Sequence, residues 1–421
     1  MAPSPTLTRA RSASGKRAAE PARTRPLADA VLRLIWQERE ISRAEIARRA
    51  GLSRSTVSEV VDALLPTRLV AEAGPGESLG GRRPIMLHFQ DDACCILGAE
   101  MGASHVAVAL TDLRGRVLDW QHHDHPVRTD VHGTRARLAE MCAAALKSWR
   151  GGSRRLVGIG VAVPSPVDPR HPFALSEVVL PEWHGASGLE KLGERFGVPV
   201  MVDNDANLGA LAEQWWGAGR GIADFAYVKV GTGVGSGHVI NGELYRGATG
   251  FAGEIGHLSM DPHGETCVCG LRGCLALFVG SPALLKRARE LARETPGSGL
   301  PANLTMTALE AAALADDPIA LRVAREAAEV LGIAVSGMLN LMNPAVVIVG
   351  GGITTLGDRF LEPLRETVRL RTRVRDGAGP SIVMSGLGPQ SVAVGAATLV
   401  LREAIANPRL FPAPARAARA R

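Results

Sequence analysis

The sequence holds no run of about eighteen apolar residues, so no membrane-spanning helix is expected. Residues 1–26 lack the apolar stretch of a secretion signal. They are small, proline-containing and basic (Arg9, Arg11, Lys16, Arg17, Arg23, Arg25), the composition of a disordered arm. A cytoplasmic location is expected. Cysteine is scarce as well: six in 421 residues do not suggest a disulfide framework. Cys94, Cys95 and Cys142 lie in apolar stretches and are expected to be inert core thiols. Cys267, Cys269 and Cys274 instead crowd into eight residues. The length exceeds what one core sustains and implies about two or three domains.

Acidic residues are missing from 407–421, which carry four arginines and read as a disordered basic tail. Residues 1–90 are basic too, with 15 Lys and Arg against 9 Asp and Glu. Of 48 basic and 42 acidic residues in all, 29 and 33 remain for 91–406, which is net acidic. A basic head on an acidic body places any nucleic-acid contact in the head. A merely solvated basic tail has the same composition.

Leu27, Val31, Leu32 and Ile35 keep helical spacing and predict a first helix. Ser42, with Glu45 three residues on, predicts a capping box that opens a second helix over Arg43–Ala50, and Gly51 ends it. Ser53 caps a third helix through Leu64. A small residue where helices cross (Ala47), a glycine in the tight turn (Gly51) and an apolar lock (Val57) meet the needs of a helix-turn-helix, with Ile46, Leu52 and Val60 filling its core. Ser53, Arg54, Ser55, Thr56 and Ser58 then stand on the exposed start of the reading helix, able to bond base edges or phosphates. Beyond a strand at Leu69-Val70, Gly74-Pro75-Gly76 and Gly80-Gly81-Arg82-Arg83-Pro84 lead into Ile85–Leu87. That predicts a hairpin wing whose tip offers Arg82 and Arg83 to phosphates or a narrow groove.

The body shows an internal resemblance. Residues 96–118 and 226–244 each run strand, small-residue turn, strand, turn, strand, with Gly102 in the first turn and Gly231, Thr232, Gly233 and Gly235 in the second. Backbone N–H groups at such turns can cradle an anion, as in actin-like ATPases. A plain hairpin has similar glycines. A further turn at Gly351 follows an apolar strand, where a nucleotide base could lie. Between the copies, an apolar strand ends in Asp203-Asn204-Asp205-Ala206-Asn207. Asp205 there is suited to take a proton from a hydroxyl and Asn204 to orient it, unless the segment is simply an Asx-rich helix cap.

These residues, with Gly158–Asp168, Gly250-Phe-Ala-Gly-Glu254-Ile-Gly-His257 and Cys267-Val-Cys269-Gly-Leu-Arg-Gly-Cys274, resemble the ROK family of repressors and sugar kinases over residues 27 to about 405. The resemblance is to its regulators with a winged helix. His257, Cys267, Cys269 and Cys274 supply one imidazole and three thiolates, a closed tetrahedral set for structural zinc. The resemblance implies that Glu254 and His257 also touch sugar hydroxyls, beside Asn204 and Asp205. Kinases of the family carry Asp-x-Gly-Gly-Thr in the first phosphate loop, where Glu100-Met101-Gly102-Ala103-Ser104 stands here. Ala103 puts a Cβ where backbone approaches a phosphate, and Glu100 lengthens a carboxylate that would help hold Mg²⁺. Ala276 replaces a sugar-binding glutamate usual in the family.

The expected fold is α/β: an N-terminal winged helix (27–90) and a two-lobed, actin-like, RNase H-like duplicated sugar-kinase body (91–406). Its first lobe spans about 91–205 plus the C-terminal helix, and its second about 206–388. The expected function is a repressor of carbohydrate uptake or catabolism genes, with double-stranded operator DNA and a sugar as partners, no catalysis, and a dimer or tetramer as the assembly. Asp205 would be a vestigial base. A DNA-binding sugar kinase and a regulator controlled by a protein partner are the alternatives.

Overall fold

In the computed structural model, which describes residues 25–76, 83–149, 155–372 and 381–413, contacts part the chain between Phe89 and Gln90 into two units. The first contains α1 (Arg25–Gln37), β1 (Ile41–Ser42), α2 (Arg43–Ala50), α3 (Arg54–Leu64), β2 (Val70–Pro75) and β3 (Ile85–Phe89). Val31, Leu32, Ile35, Ile46, Val57 and Val61 are fully buried among the three helices. The Ser42 hydroxyl accepts from the Glu45 N–H at 3.2 Å, but the capping box is only half made. The Glu45 carboxylate turns to Arg48 instead, whose two charge-assisted N–H bonds outcompete one backbone N–H. Gly51 takes the left-handed conformation (φ 66°) that the turn requires, and donates to the Ala47 carbonyl.

The hairpin departs from expectation. Gly74-Pro75 does not turn but continues β2, because a bulge between Glu72 and Gly74 lets Pro75 still pair with Ile85. β1 joins as a third strand, in the order β1-β3-β2. Gly80, Gly81 and Arg82 lie outside the described residues.

The second unit carries two five-stranded sheets of one topology. The first is built from β4 (Cys95–Met101), β5 (His105–Thr111), β6 (Val117–Asp124), β7 (Leu156–Val163) and β8 (Val200–Asn204), and the second from β9 (Phe225–Val230), β10 (Val234–Ile240), β11 (Glu243–Tyr245), β12 (Val346–Gly350) and β13 (Ser381–Met384). Their orders are β6-β5-β4-β7-β8 and β11-β10-β9-β12-β13. In each, three consecutive strands form an antiparallel meander, and two further strands extend the first of them in parallel. Buried on both faces, the central strands read as continuous apolar runs such as Leu156–Val163.

Helices α4 (Val131–Ser148) and α5 (Glu190–Phe196) accompany the first sheet. α6 (Asp205–Trp216) leads from the first sheet to the second. α7 (Ala276–Val279), α8 (Ser281–Glu294), α9 (Met306–Leu314), α10 (Pro318–Met342) and α11 (Asp358–Arg371) pack with the second sheet around a core that includes Val228, Leu331, Val347 and Phe360. α12 (Ser391–Ala406) returns to the first sheet, where its backbone at Ala393 and Ala396 lies against Gly98 and Gly160 so closely that a Cβ on either glycine would collide. Burial pushes the thiols of Cys94, Cys95 and Cys142 up to about 11, 12 and 12, so these groups stay protonated.

The tail expected to be disordered from residue 407 stays folded as far as 413. Pro408–Leu410 form a helical turn, Phe411 is buried, and the Arg155 side chain donates to the Pro412 carbonyl at 3.0 Å. An apolar anchor and a capped carbonyl outweigh the basic composition there. Among the described residues no helix is long and apolar enough to cross a membrane.

Candidate functional site

In the first unit the third helix buries Val57, Val60, Val61 and Leu64 and turns Arg54 and Ser55 fully outward, with Thr56 and Ser58 half-buried. Ser53 is the helix cap: its hydroxyl accepts from the Thr56 N–H at 3.1 Å and lies 2.8 and 2.7 Å from the Ser55 and Thr56 hydroxyls. Ser53 is exposed and also orients its neighbours. The second helix neutralises its own charges, Arg43 on Glu72 at 3.0 Å and Arg49 on Glu38 at 2.5 Å. Arg54 and Arg83 are exposed and carry no ion pair among the described residues, which leaves both free for phosphates or base edges.

In the second unit a cavity of about 610 Å³ lies between the two sheets. Asn204, Asp205, Glu254 and His257 all line it, as do Gly102, Gly231, Thr232, Gly233, Gly235 and Gly351. Every cleft residue singled out in the sequence thus opens onto one space, and so do Glu100, Ala103 and Ala276.

The local chemistry alters several of the expected roles. Asn204 caps α6, its Oδ1 accepting from the Ala206 and Asn207 N–H groups at 2.9 and 3.2 Å, while its Nδ2 donates to the Ser165 carbonyl at 3.2 Å. The helix-cap reading of this segment holds for Asn204, which anchors the segment that presents Asp205. Asp205 is not free either: Lys229 Nζ donates to its Oδ2 at 2.6 Å and to Glu100 Oε1 at 2.9 Å. Burial opposes the Glu100 charge, but Lys229 and then His105 hold its carboxyl down to about 2. Burial likewise opposes the Lys229 charge, and Asp205 and Glu100 raise its pKa above the usual lysine value.

The loop after β4 makes its own local contacts. The His105 ring packs against Gly102 so closely that no Cβ would fit between them, and Ser104 Oγ lies 2.9 Å from Thr232 Oγ1 of the second loop. Ala103 shows no left-handed φ, so its methyl group sits in ordinary backbone at the cavity wall. Glu254 faces the same space. Burial pushes its carboxyl up to about 7, and the Asp205 charge adds to the shift.

His257 turns two faces to two tasks. Its Nδ1 lies 3.7 Å from Cys267 Sγ, and its Nε2 3.8 Å from Glu254 Oε2. The ligand atoms of His257, Cys267, Cys269 and Cys274 all fall within 4.8 Å of one another, a set able to hold a metal ion. Burial, and then the Arg128 charge, lowers the His257 pKa and keeps the imidazole neutral, as a metal ligand must be.

Sequence reasoning missed Lys229, His105 and the buried pair of Asp203 with Arg246, whose Nε and Nη2 donate to Asp203 Oδ2 at 2.8 and 2.6 Å. The one available signal was a lone lysine within the otherwise apolar strand Phe225–Val230.

A winged helix ahead of a duplicated, actin-like body with a polar-lined cleft defines a class: transcription regulators built on a sugar-kinase fold. The ROK family profile matches residues 96–403, and the MarR family profile matches 30–67 within the winged helix. The chain belongs to the ROK family and is one of its sugar-responsive, DNA-binding regulators. It is 31% identical over 387 residues to a putative xylose repressor of Caldicellulosiruptor sp. strain Rt8B.4, covering 90% of this chain and 96% of that one. It is also 31% identical over 376 residues to the DNA-binding transcriptional dual regulator NagC of Escherichia coli K12, covering 89% and 91%. A crystal structure of a ROK family transcriptional regulator, a homologue of the E. coli Mlc protein, superposes with a TM-score of 0.77 at 24% identity, over 92% of this chain and 98% of that one.

Proposed function

We propose that the chain is a cytoplasmic, non-catalytic repressor of sugar uptake or catabolism genes that reads operator DNA through Arg54, Ser55, Thr56, Ser58, Arg82 and Arg83, and binds a sugar in the cleft of its body. The observation that carries this reading is the single cavity onto which Asp205, Glu254 and His257 open, with the His105 ring packed against Gly102 at its wall. Asp205 and Glu254 accept from sugar hydroxyls, His257 adds its Nε2, and Asn204 holds the segment in place. Zinc bound by His257, Cys267, Cys269 and Cys274 would fix the loop that presents Glu254. Catalysis is disfavoured by Glu100 and Ala103, which depart from the Asp-x-Gly-Gly-Thr loop of the family's kinases. A dimer or tetramer would set two heads on an operator of matching symmetry.

The relatives named for xylose and for another regulon are equally identical to this chain, so the sugar follows from experiment. The test titrates binding of the protein to its own promoter DNA with D-xylose, D-glucose and N-acetyl-D-glucosamine. Arg54→Ala is expected to lose about 1–3 kcal/mol of discrimination at particular base pairs. Glu254→Gln should bind DNA as the wild type does but lose the sugar response, because a ligand shifts the equilibrium only through its differential affinity for the two states. A normal sugar response in Glu254→Gln rejects the cleft as the effector site. Ala276, which leaves that wall short of an acceptor, then favours control by a protein partner.

A further inference from the structure

At the cleft end the paired strands β4–β5 and β9–β10 correspond in position. In register, Met101 pairs with Val106 as Val230 pairs with Val234, and Glu100 with Ala107 as Lys229 with Gly235. Glu100 and Lys229 are therefore the same position in the two halves, each two residues ahead of the glycine that opens its loop. At that position the halves carry opposite charges, and the two side chains meet across the cleft at 2.9 Å.

The pairing answers an electrostatic need. Glu100 and Asp205 place two carboxylates on one buried spot, with side chains 4% and 15% exposed. Like charges at such a site cannot both ionise without a cation between them. In a phosphoryl-transfer enzyme that cation is a divalent metal brought with the nucleotide. Here the Lys229 ammonium touches both carboxylates at once, and the Ser104–Thr232 contact bridges the loops above it.

We propose that Lys229 is a resident cation, standing between Glu100 and Asp205 where a divalent ion would otherwise be needed, so that the cleft takes an uncharged polyol without metal or nucleotide. Lys229 is a positioning residue: it holds Asp205 through Oδ2 and leaves Oδ1 as the acceptor for a ligand hydroxyl. The ligand half of the proposal rests on the cleft being the effector site. The cation half does not.

The cation half is tested on full-length, zinc-loaded protein with the metal alone as probe. Lys229→Met leaves two buried carboxylates facing each other, and the melting temperature should fall by about 5 °C or more. MgCl2 at about 10 mM, against NaCl of equal ionic strength, should recover at least half of that fall, because the vacated place binds the metal in the native state only. The wild type should not respond, and Glu100→Gln added to Lys229→Met should abolish the recovery. If Lys229→Met does not fold, Lys229→Gln is used, with Mn²⁺ binding followed by electron paramagnetic resonance; one bound ion is expected, against none in the wild type. No Mg²⁺ recovery and no Mn²⁺ binding in the variants, or an equal response in the wild type, overturns the proposal. For the ligand half, calorimetric affinity for D-xylose or N-acetyl-D-glucosamine should fall about tenfold or more in Lys229→Met and change by less than about twofold when MgATP is added to the wild type. Retained sugar affinity in Lys229→Met overturns the positioning role. If neither sugar binds the wild type while the metal arm behaves as expected, the effector reading fails and the resident cation stands.

Discussion

The two halves of the body share one strand order and have grown apart in what they need to stay folded. The first sheet closes on itself through packing: α12 lies on Gly98 and Gly160, and the paired positions Val108 and Leu110 are apolar and fully buried. In the second sheet the positions equivalent to Val108 and Leu110 are Ser236 and His238, and the segment after its meander carries the His257, Cys267, Cys269 and Cys274 cluster. Both copies line the cleft, Glu100, Asn204 and Asp205 from the first and Glu254 and His257 from the second, but among the described residues only the second carries a cluster able to hold a metal. The copies meet at Glu100 and Lys229, where the duplication turns into an ion pair.

The largest expected effect follows from removing the metal. With zinc chelated, or in Cys269→Ser, the loop spanning 255–280 should lose its order while the first sheet keeps its own. Apparent zinc-binding energies of about 10 kcal/mol or more in small zinc domains show how much order such a site can carry. Hydrogen exchange read segment by segment should show protection lost around Glu254 and His257 and kept over β4 and β7. Freshly purified, reduced protein free of zinc would break the comparison at its root.

The next effect is aimed at the other half. Gly160→Val drives a branched side chain into the α12 backbone at Ala396. Overpacking against a helix axis that cannot retreat should destabilise by at least about 3 kcal/mol, seen as a lower urea midpoint. Zinc content should stay at one per chain. Equal loss of zinc and of first-sheet protection would mean that the halves do not differ in what they need to stay folded.

How much of this was legible depended on the distance between partners in the chain. The Cys₃His set and the helix-turn-helix are local patterns, so spacing alone exposed them, and Ser42, Gly51 and Ser53 stand where capping rules put them. The duplicated strand-turn-strand units were legible for the same reason. Lys229 was not, because its partner Glu100 lies 129 residues away and no local rule pairs them. Asn204 was visible as both ligand and cap, since an Asx at a strand end can serve as either, and its bonds to Ala206 and Asn207 show the cap. Phe411 was hidden by its basic surroundings, since composition averages over the one apolar residue that docks the tail.

The smallest effect sharpens the comparison by pH. His238 is 6% exposed, and its Nε2 lies 2.9 Å from Ser236 Oγ within β10. Burial lowers its pKa from 6.5 to about 4, so the folded protein keeps it neutral where an unfolded chain would protonate it. Between those two values the unfolded state binds more protons, and stability falls as the pH falls. The contribution is intact above about pH 6.5 and shrinks by about 1.4 kcal/mol per pH unit, or about 2 kcal/mol by pH 5. The equivalent position in the first sheet is Leu110, which has nothing to titrate. Acid should therefore loosen the second half first. Hydrogen exchange at pH 7 and pH 5, corrected for intrinsic rates, should show β9 and β10 losing protection while β4 and β5 keep theirs. His238→Leu copies the first sheet into the second and should flatten that difference. If β9 and β10 lose protection in acid as steeply in His238→Leu as in the wild type, His238 is not the source of the lability, and zinc content measured at both pH values tests the metal ligands in its place.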